Sequence, residues 1–509
     1  MWKRPIRKYS TDLWVLNREV NLVTGDNNML YKSDFLLDKP REECGVFGIY
    51  DVDGIDCVDI CYYGLYALQH RGQDSAGIAV STERGIIYHK QMGLVVDVFT
   101  MEKLQQLDRG NIAIGHVRHS LAGDCHTVNA QPLVIKYKGG DIALAHNGKL
   151  TNALELRQEL EESGAIFQTS IDSEVIATLI AQYRDQDLVT AVKKTLRRIK
   201  GSYAITMMAK DKLIGIRDPH GIRPLALGKI NNSYVLASET CAFDVIGADY
   251  IRDVKPGEII IIDKNGLTSI QTEVPLKSGL CIFEFVYLAR TDSIIDGISV
   301  YQARMDAGRY LAMEHPADVD MVIGVPDSGT TAAIGFAEQS NIPYGEGLIK
   351  NRYVGRTFIQ PSQSMREQAL RIKLNALRKM VQGKRIAMVD DSIVRGTTSK
   401  MIVDMLRTAG AREVHMRISS PPVVSPCYFG MDTPSTKQLI GAAYTVEEIE
   451  KLIGADSLGY ISIESLLKTV EGSSCQFCTG CFDGRYPMEV SCLNKGDKKC
   501  KRREDKNGD

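Results

Sequence analysis

The 509-residue sequence predicts an α/β chain in which a layered sandwich is followed by a parallel sheet. Two patterns carry that expectation. From Cys44 to about residue 265 short β-like runs dominate, at Gly45 to Tyr50, Ile112 to Val117, Ile142 to Ala145 and Tyr203 to Met208. Amphipathic helical spacing interrupts them at Asn152 to Ser163 and Ser173 to Tyr183. From about residue 320 the order becomes strand, loop, helix: Met321 to Val325 precedes Pro326-Asp327-Ser328-Gly329, and Arg385 to Val389 precedes a second polar loop. The helix after that loop places Met401, Ile402, Met405 and Leu406 on one face and stops near Gly410. Such alternation implies parallel strands with ligand loops at their carboxyl ends.

The chain is too long for one ordinary core, and 25% charged with 44% hydrophobic residues is the balance of a soluble globular protein. A net charge of −1 supplies neither a basic field for nucleic acid nor a polybasic signal for a membrane, and the apolar runs are too short to span one. Small-molecule chemistry in the cytoplasm is left, with no nucleic-acid or membrane partner. Residues 1–43 hold mixed charges and an apolar run of only Leu13 to Leu16, which suits neither a signal nor a transit peptide. They read as a propeptide removed before Cys44, the alternative being a retained extension that would leave Cys44 without a free amine. Twelve cysteines in a reducing compartment are thiols or metal ligands rather than disulfides. The tail at 494–509 is charged, nearly devoid of apolar residues and expected to be disordered.

Two distant runs carry the chemistry. Arg41-Glu42-Glu43-Cys44-Gly45-Val46-Phe47-Gly48-Ile49-Tyr50 resembles the amino end of class II glutamine amidotransferases, and Val389-Asp390-Asp391-Ser392-Ile393-Val394-Arg395-Gly396-Thr397-Thr398 resembles the phosphoribosyl-pyrophosphate loop of phosphoribosyltransferases. Together, and in this order, they resemble the glutamine phosphoribosylpyrophosphate amidotransferase family in its iron–sulfur branch. The resemblance implies an N-terminal-nucleophile αββα sandwich at 44–275, a type I phosphoribosyltransferase domain at 276–470 and a cluster-binding segment at 471–493. It also implies a homotetramer inhibited by purine nucleotides.

An N-terminal cysteine can serve as nucleophile while its own α-amine takes the thiol proton, so no histidine partner is needed. By the resemblance, Asn147 and Gly148 of His146-Asn147-Gly148 form the oxyanion hole, Arg118 binds the glutamine carboxylate and Asp172 its ammonium. The runs Gln69-His70-Arg71-Gly72-Gln73-Asp74, Asn129-Ala130-Gln131-Pro132 and Arg217-Asp218-Pro219-His220-Gly221-Ile222-Arg223-Pro224 match as well. Read alone, the Asn-Gly pair would be a hairpin turn. His119-Ser120-Leu121 departs from the usual tyrosine after Arg118, and Lys149 from the usual asparagine, which bears on coupling between the domains rather than on direct chemistry.

In the second loop Asp390 and Asp391 are expected to meet ribose hydroxyls and Mg²⁺, while Ser392, Arg395, Gly396, Thr397 and Thr398 cradle the 5-phosphate at a helix start. Ser328 approaches the metal from the diphosphate loop. Lys350 and Arg352 open a basic run through Phe358 that resembles the family's closing loop. Cys478-Thr479-Gly480-Cys481, with Cys281 and Cys427, is implied to hold a [4Fe–4S] cluster of structural purpose. Zinc is the alternative, and Cys475 makes a competing Cys-x-x-Cys with Cys478. Cys57, Cys61, Cys125 and Cys241 read as small core residues. A glutaminase with another acceptor, as in glucosamine-6-phosphate synthase or asparagine synthetase, lacks this loop. A sensor of phosphoribosyl pyrophosphate lacks the glutaminase half.

Overall fold

The computed structural model describes residues 44–107, 109–119, 126–183, 185–272, 278–352 and 372–490. The segment expected to be a propeptide, Ser120, Leu121, Cys125, the basic run beyond Arg352 and the charged tail lie outside them.

The first unit packs two antiparallel sheets face to face. Its seven-stranded sheet runs, edge to edge, through Asp249–Asp253, Ala226–Ile230, Ser233–Ala237, Gly45–Tyr50, Ile112–Arg118, Ser75–Thr82 and Gly85–Met92. The six-stranded sheet runs through Gly266–Gln271, Glu258–Asp263, Lys212–Arg217, Gly201–Ala209, Gly140–Leu150 and Leu133–Tyr137. The central strand Gly45–Tyr50 is buried along its whole length, which explains its uninterrupted apolar sequence. Its alternation of side chains feeds two cores: Val46 and Tyr50 face the other sheet beside Ala143, Ala145 and Ala204, while Phe47 and Ile49 face the helix Cys57–Ala67. The outer face of the second sheet is covered by the helices Ala153–Glu162, Asp172–Gln182 and Leu188–Leu196. The result is the layered αββα arrangement.

The second unit carries four parallel strands in the order Met321–Gly324, Arg385–Asp390, Glu413–Ile418 and Ser457–Tyr460. Val322, Ala387 and Val389 face the helices Val300–Glu314 and Thr330–Ser340, whereas Ile323, Ile386 and Met388 face Thr397–Thr408 and Val446–Ile453. On Thr397–Thr408 the buried stripe is Ile402, Val403 and Leu406, with Met401 half-exposed at its margin, so the face is rotated slightly from the expected one. Further on, Leu280–Cys281 pairs in parallel with Phe477–Cys478 and draws the C-terminal segment back to the start of the second unit.

One local expectation is corrected. His146-Asn147-Gly148 is no turn: it lies within the eleven-residue strand Gly140–Leu150, paired across to Ile205, Ala204 and Tyr203. No helix among the described residues is long and apolar enough to cross a membrane.

Candidate active sites

Cys44 stands half-buried immediately before the central strand, its thiol 3.9 Å from the carbonyl oxygen of His119. Arg71 Nε donates to the Cys44 carbonyl at 3.3 Å. Because Gly45 pairs opposite Val117, the neighbouring strand ends with Arg118 alongside Cys44, and Arg118 is 5% exposed. Across the sandwich, the His116 ring meets the His146 carbonyl oxygen at 3.1 Å, which brings the Arg118 end of one sheet onto the Asn147 position of the other.

Asn147 is the electrostatic anomaly of this region. It is fully buried, and neither its amide nitrogen nor its amide oxygen has a hydrogen-bond partner among the described residues. An unsatisfied buried amide costs about 1–3 kcal/mol, a cost that a ligand bound there would relieve. Gly148 follows at φ 137°, and a Cβ at that position would run into the Ser202 carbonyl, so only glycine fits. Asp172 opens the helix Asp172–Gln182, and its Oδ2 accepts from the Leu150 N–H at 2.8 Å. Gln131 ties the two supports together: its Oε1 accepts from the His146 N–H at 2.9 Å and from Ser173 Oγ at 3.1 Å. Asn129 and Ser170 bond reciprocally beside it, at 2.9 and 3.1 Å. Burial pushes His116 down to about 3 and His146 down to about 4, so both imidazoles are neutral near pH 7 and are weak bases. His119 places its Nδ1 3.2 Å from Asp74.

At the second site the strand Arg385–Asp390 delivers two carboxylates into the interior, Asp390 at 1% and Asp391 at 0% exposure. Asp390 Oδ1 accepts from the Asp391 N–H at 2.9 Å, and Ser392 Oγ donates to Asp391 at 2.6 Å. Arg304, on the helix Val300–Glu314, is a buried cation within electrostatic reach of Asp391; burial lowers it to about 10, with Asp391 opposing, so it stays charged. Its guanidinium is held by the Phe285 and Ala289 carbonyls, both at 2.8 Å. No motif marked Arg304, because its partner is more than eighty positions away along the chain. The loop then turns through Ser392 to Arg395 into Thr397–Thr408, with Gly396 as N-cap at φ 82° and Ile440 occupying the space a Cβ would need. The first amides of that helix have no intrahelical acceptors and suit a phosphate.

The Val325 N–H donates to the Val389 carbonyl at 2.9 Å, which seats Pro326 to Gly329, with half-buried Ser328, beside Asp390. Next to this loop is a cleft of about 870 Å³ lined by Asp327, Thr330, Tyr344, Lys350 and Arg352 among others. Lys350 and Arg352 are exposed, and Lys350 Nζ pairs with Asp327 at 2.5 Å.

Four cysteines converge between the units. Cys281 pairs opposite Cys478, Cys427 Sγ accepts from the Phe429 N–H at 3.4 Å, and the Cys481 carbonyl accepts from Val424 and Ser425 at 2.9 and 3.1 Å. Burial pushes the Cys281 and Cys481 thiols up, and so does the charge of the neighbouring cysteines: Cys427 and Cys478 act on Cys281, and Cys281, Cys427 and Cys478 act on Cys481. Burial likewise pushes Cys478 up to about 12. Cys475 stands apart, facing Arg217 and Asp296. Among the described residues no three His, Cys, Asp or Glu side chains are close enough to share one metal ion. Cys57, Cys61 and Cys241 are buried in the core under the first sheet.

Residues 116–245 match the glutamine amidotransferase domain family. The amidophosphoribosyltransferase of Synechococcus elongatus is 52% identical over 459 residues, covering 89% of this chain and 93% of the relative. That of Archaeoglobus fulgidus is 50% identical over 451 residues, covering 88% and 98%. Among solved structures, a glutamine phosphoribosylpyrophosphate amidotransferase from B. subtilis, complexed with ADP and GMP, superposes with a TM-score of 0.83 at 49% identity over 88% of this chain and 98% of that one. Another, described as the allosteric regulatory enzyme of purine biosynthesis, superposes at 0.84 with 49% identity, covering 88% and 97%. With relatives alike across both units at this level, the chain belongs to the amidophosphoribosyltransferase family.

Proposed function

We propose that the two sites work in sequence: glutamine is hydrolysed at Cys44, and the ammonia is transferred to phosphoribosyl pyrophosphate, giving 5-phosphoribosylamine, glutamate and diphosphate as the opening step of purine synthesis. The observation that carries the first half is the buried, unpartnered amide of Asn147 on the strand facing the Cys44 end of the sandwich. After cleavage before Cys44, the freed α-amine takes the thiol proton and the sulfur attacks the amide carbon of glutamine. The oxyanion accepts from Asn147 Nδ2 and the Gly148 N–H, the amine returns the proton to departing ammonia, and water hydrolyses the thioester to glutamate. Arg118 holds the glutamine carboxylate and Asp172 its ammonium. The low basicity of His116 and His146 supports the α-amine as the base.

Ammonia in bulk water near neutral pH is mostly ammonium and has no lone pair, so it must cross between the sites without meeting solvent. At the second site Ser392, Arg395, Gly396, Thr397 and Thr398 hold the 5-phosphate, and Asp390 and Asp391 meet the ribose hydroxyls. Lys350 and Arg352 grip the diphosphate. The ammonia lone pair attacks the anomeric carbon, the bond to diphosphate breaks, and the nitrogen then sheds a proton. Asp390, Asp391 and Ser328 would hold Mg²⁺, which neutralises and orients the leaving diphosphate when bound. The buried acidic pair supports that donor set.

Cys281, Cys427, Cys478 and Cys481 would hold a [4Fe–4S] cluster that ties the C-terminal segment to both units. The mutual proximity of these thiols, each felt electrostatically by Cys481, supports a shared four-thiolate site. Purine nucleotides are the proposed inhibitors, entering the phosphate loop by their 5′-phosphate; the relative solved with ADP and GMP supports this. A cytoplasmic homotetramer is proposed from the family.

The test is anaerobic release of glutamate and diphosphate with and without phosphoribosyl pyrophosphate, together with metal analysis. Equal yields of both products and about four irons per chain are the expected results. Glutamate without diphosphate overturns the acceptor, and zinc without iron overturns the cluster.

A further inference from the structure

The carbonyl oxygen of Phe429 accepts three hydrogen bonds, all from the glutaminase unit: Ser202 Oγ at 2.6 Å, Arg223 Nη2 at 2.7 Å and Arg223 Nε at 3.2 Å. Phe429 itself belongs to the second unit, two residues beyond Cys427, and both donors are fully buried. One carbonyl is thus the meeting point of two chains of contacts.

The first leads to the oxyanion strand. Ser202 pairs opposite Lys149 in the sheet, its hydroxyl accepts from the Lys149 N–H at 3.2 Å, and its own carbonyl fills the space beside Gly148. The second leads to the nucleophile. Arg223 Nη1 lies 3.5 Å from Glu284, Arg71 makes two bonds of 2.9 Å to Glu284, and Arg71 Nε reaches the Cys44 carbonyl at 3.3 Å. Arg71 and Glu284 are also buried at 1% and 0% exposure, so both chains run through a dry interior where hydrogen bonds are stiff.

We propose that the Ser202 hydroxyl is a positioning group for glutamine hydrolysis: by clasping the Phe429 carbonyl and the Lys149 amide together, it fixes the Asn147–Gly148 strand segment against the phosphoribosyl unit. The inference rests on the assignment of Asn147 and Gly148 as oxyanion donors. Such donors act only when aimed at the developing charge, and small displacements lower turnover more than substrate binding. Ammonia-dependent synthesis uses neither chain of contacts and is spared.

The test compares Ser202→Ala and Asn147→Ala with the parent for glutamine hydrolysis and for ammonia-dependent synthesis. Ser202→Ala is expected to lower kcat for glutamine about tenfold with KM within about twofold and ammonia-dependent turnover unchanged. A kcat within about twofold of the parent, or an equal fall in both activities, overturns the proposal and leaves Ser202 a structural bond between units. Full glutaminase activity in Asn147→Ala sinks the oxyanion assignment beneath it. An inactive Asn147→Ala beside a normal Ser202→Ala sinks the positioning claim alone.

Discussion

The glutaminase site and the phosphoribosyl site are built to different degrees of readiness. Cys44, Arg118, Asn147 and Asp172 sit on strands, strand ends and a helix start, cross-tied by Gln131 and Arg71, with Asn147 held open at full burial. In the phosphoribosyl site the acidic pair and part of the phosphate loop are set in the interior, with Asp390, Asp391, Ser392 and Thr398 buried, whereas Lys350 and Arg352 stand on the surface. Lys350 is 48% exposed and pairs with Asp327, an exposed contact of about 0–1 kcal/mol that the proposed diphosphate would displace at little cost. On the proposed assignment of these residues, the difference teaches that hydrolysis is preorganised, while the grip on the diphosphate is assembled on binding.

That contrast can be broken by mutation, beginning with the largest effect. Cys44→Ala should lower glutamine-dependent turnover by at least about 10³-fold and leave ammonia-dependent turnover in place; parallel loss of both would make the sites one machine. Asp391→Asn should lower both activities together, by about 10²-fold, since the buried acidic pair serves the acceptor whichever nitrogen source is used. Selective loss of the glutamine reaction there would contradict the division. Lys350→Gln, at an exposed position, should raise KM for phosphoribosyl pyrophosphate about tenfold while leaving glutaminase KM unchanged.

The smallest effect concerns stability. Burial depresses His116 to about 3 and His146 to about 4 from 6.5, so the unfolded chain binds their protons first as pH falls. Their contribution is complete above pH 6.5 and is lost on acidification toward those values, about 1.4 kcal/mol per pH unit for each ring once the unfolded form is protonated. Thermal midpoints between pH 7.5 and 5 should therefore fall, and fall less steeply in His116→Gln. Identical slopes would mean that the ring is not buried neutral.

Much of this was legible in the sequence because local rules and function agree. Apolar strands before polar loops announced the parallel sheet, and the Asp390-Asp391 to Thr398 run declared itself through an acidic pair joined to a helix start. His146-Asn147-Gly148 misled, since Asn-Gly favours a turn and only the tertiary pairing with Gly201–Ala209 keeps it extended. Arg304, Glu239 and Glu284 were invisible. None belongs to a local pattern of charges that names its role, and the meaning of each comes from partners far along the chain: Glu239 with Arg71 at 2.6 Å, Glu284 with Arg71 and Arg223. Cys475 and Cys481 were distinguishable by the residues after them, but the reason is spatial: one thiol faces Arg217 and Asp296, the other faces three cysteines.

The central claim is that the nucleophile works through its own α-amine. Intact-mass and N-terminal determination on the same preparation whose glutamine-dependent turnover is measured tests it most directly. Active protein beginning at Cys44, with turnover proportional to that species, is the predicted result; full glutamine-dependent turnover from chains still carrying residues before Cys44 would contradict it.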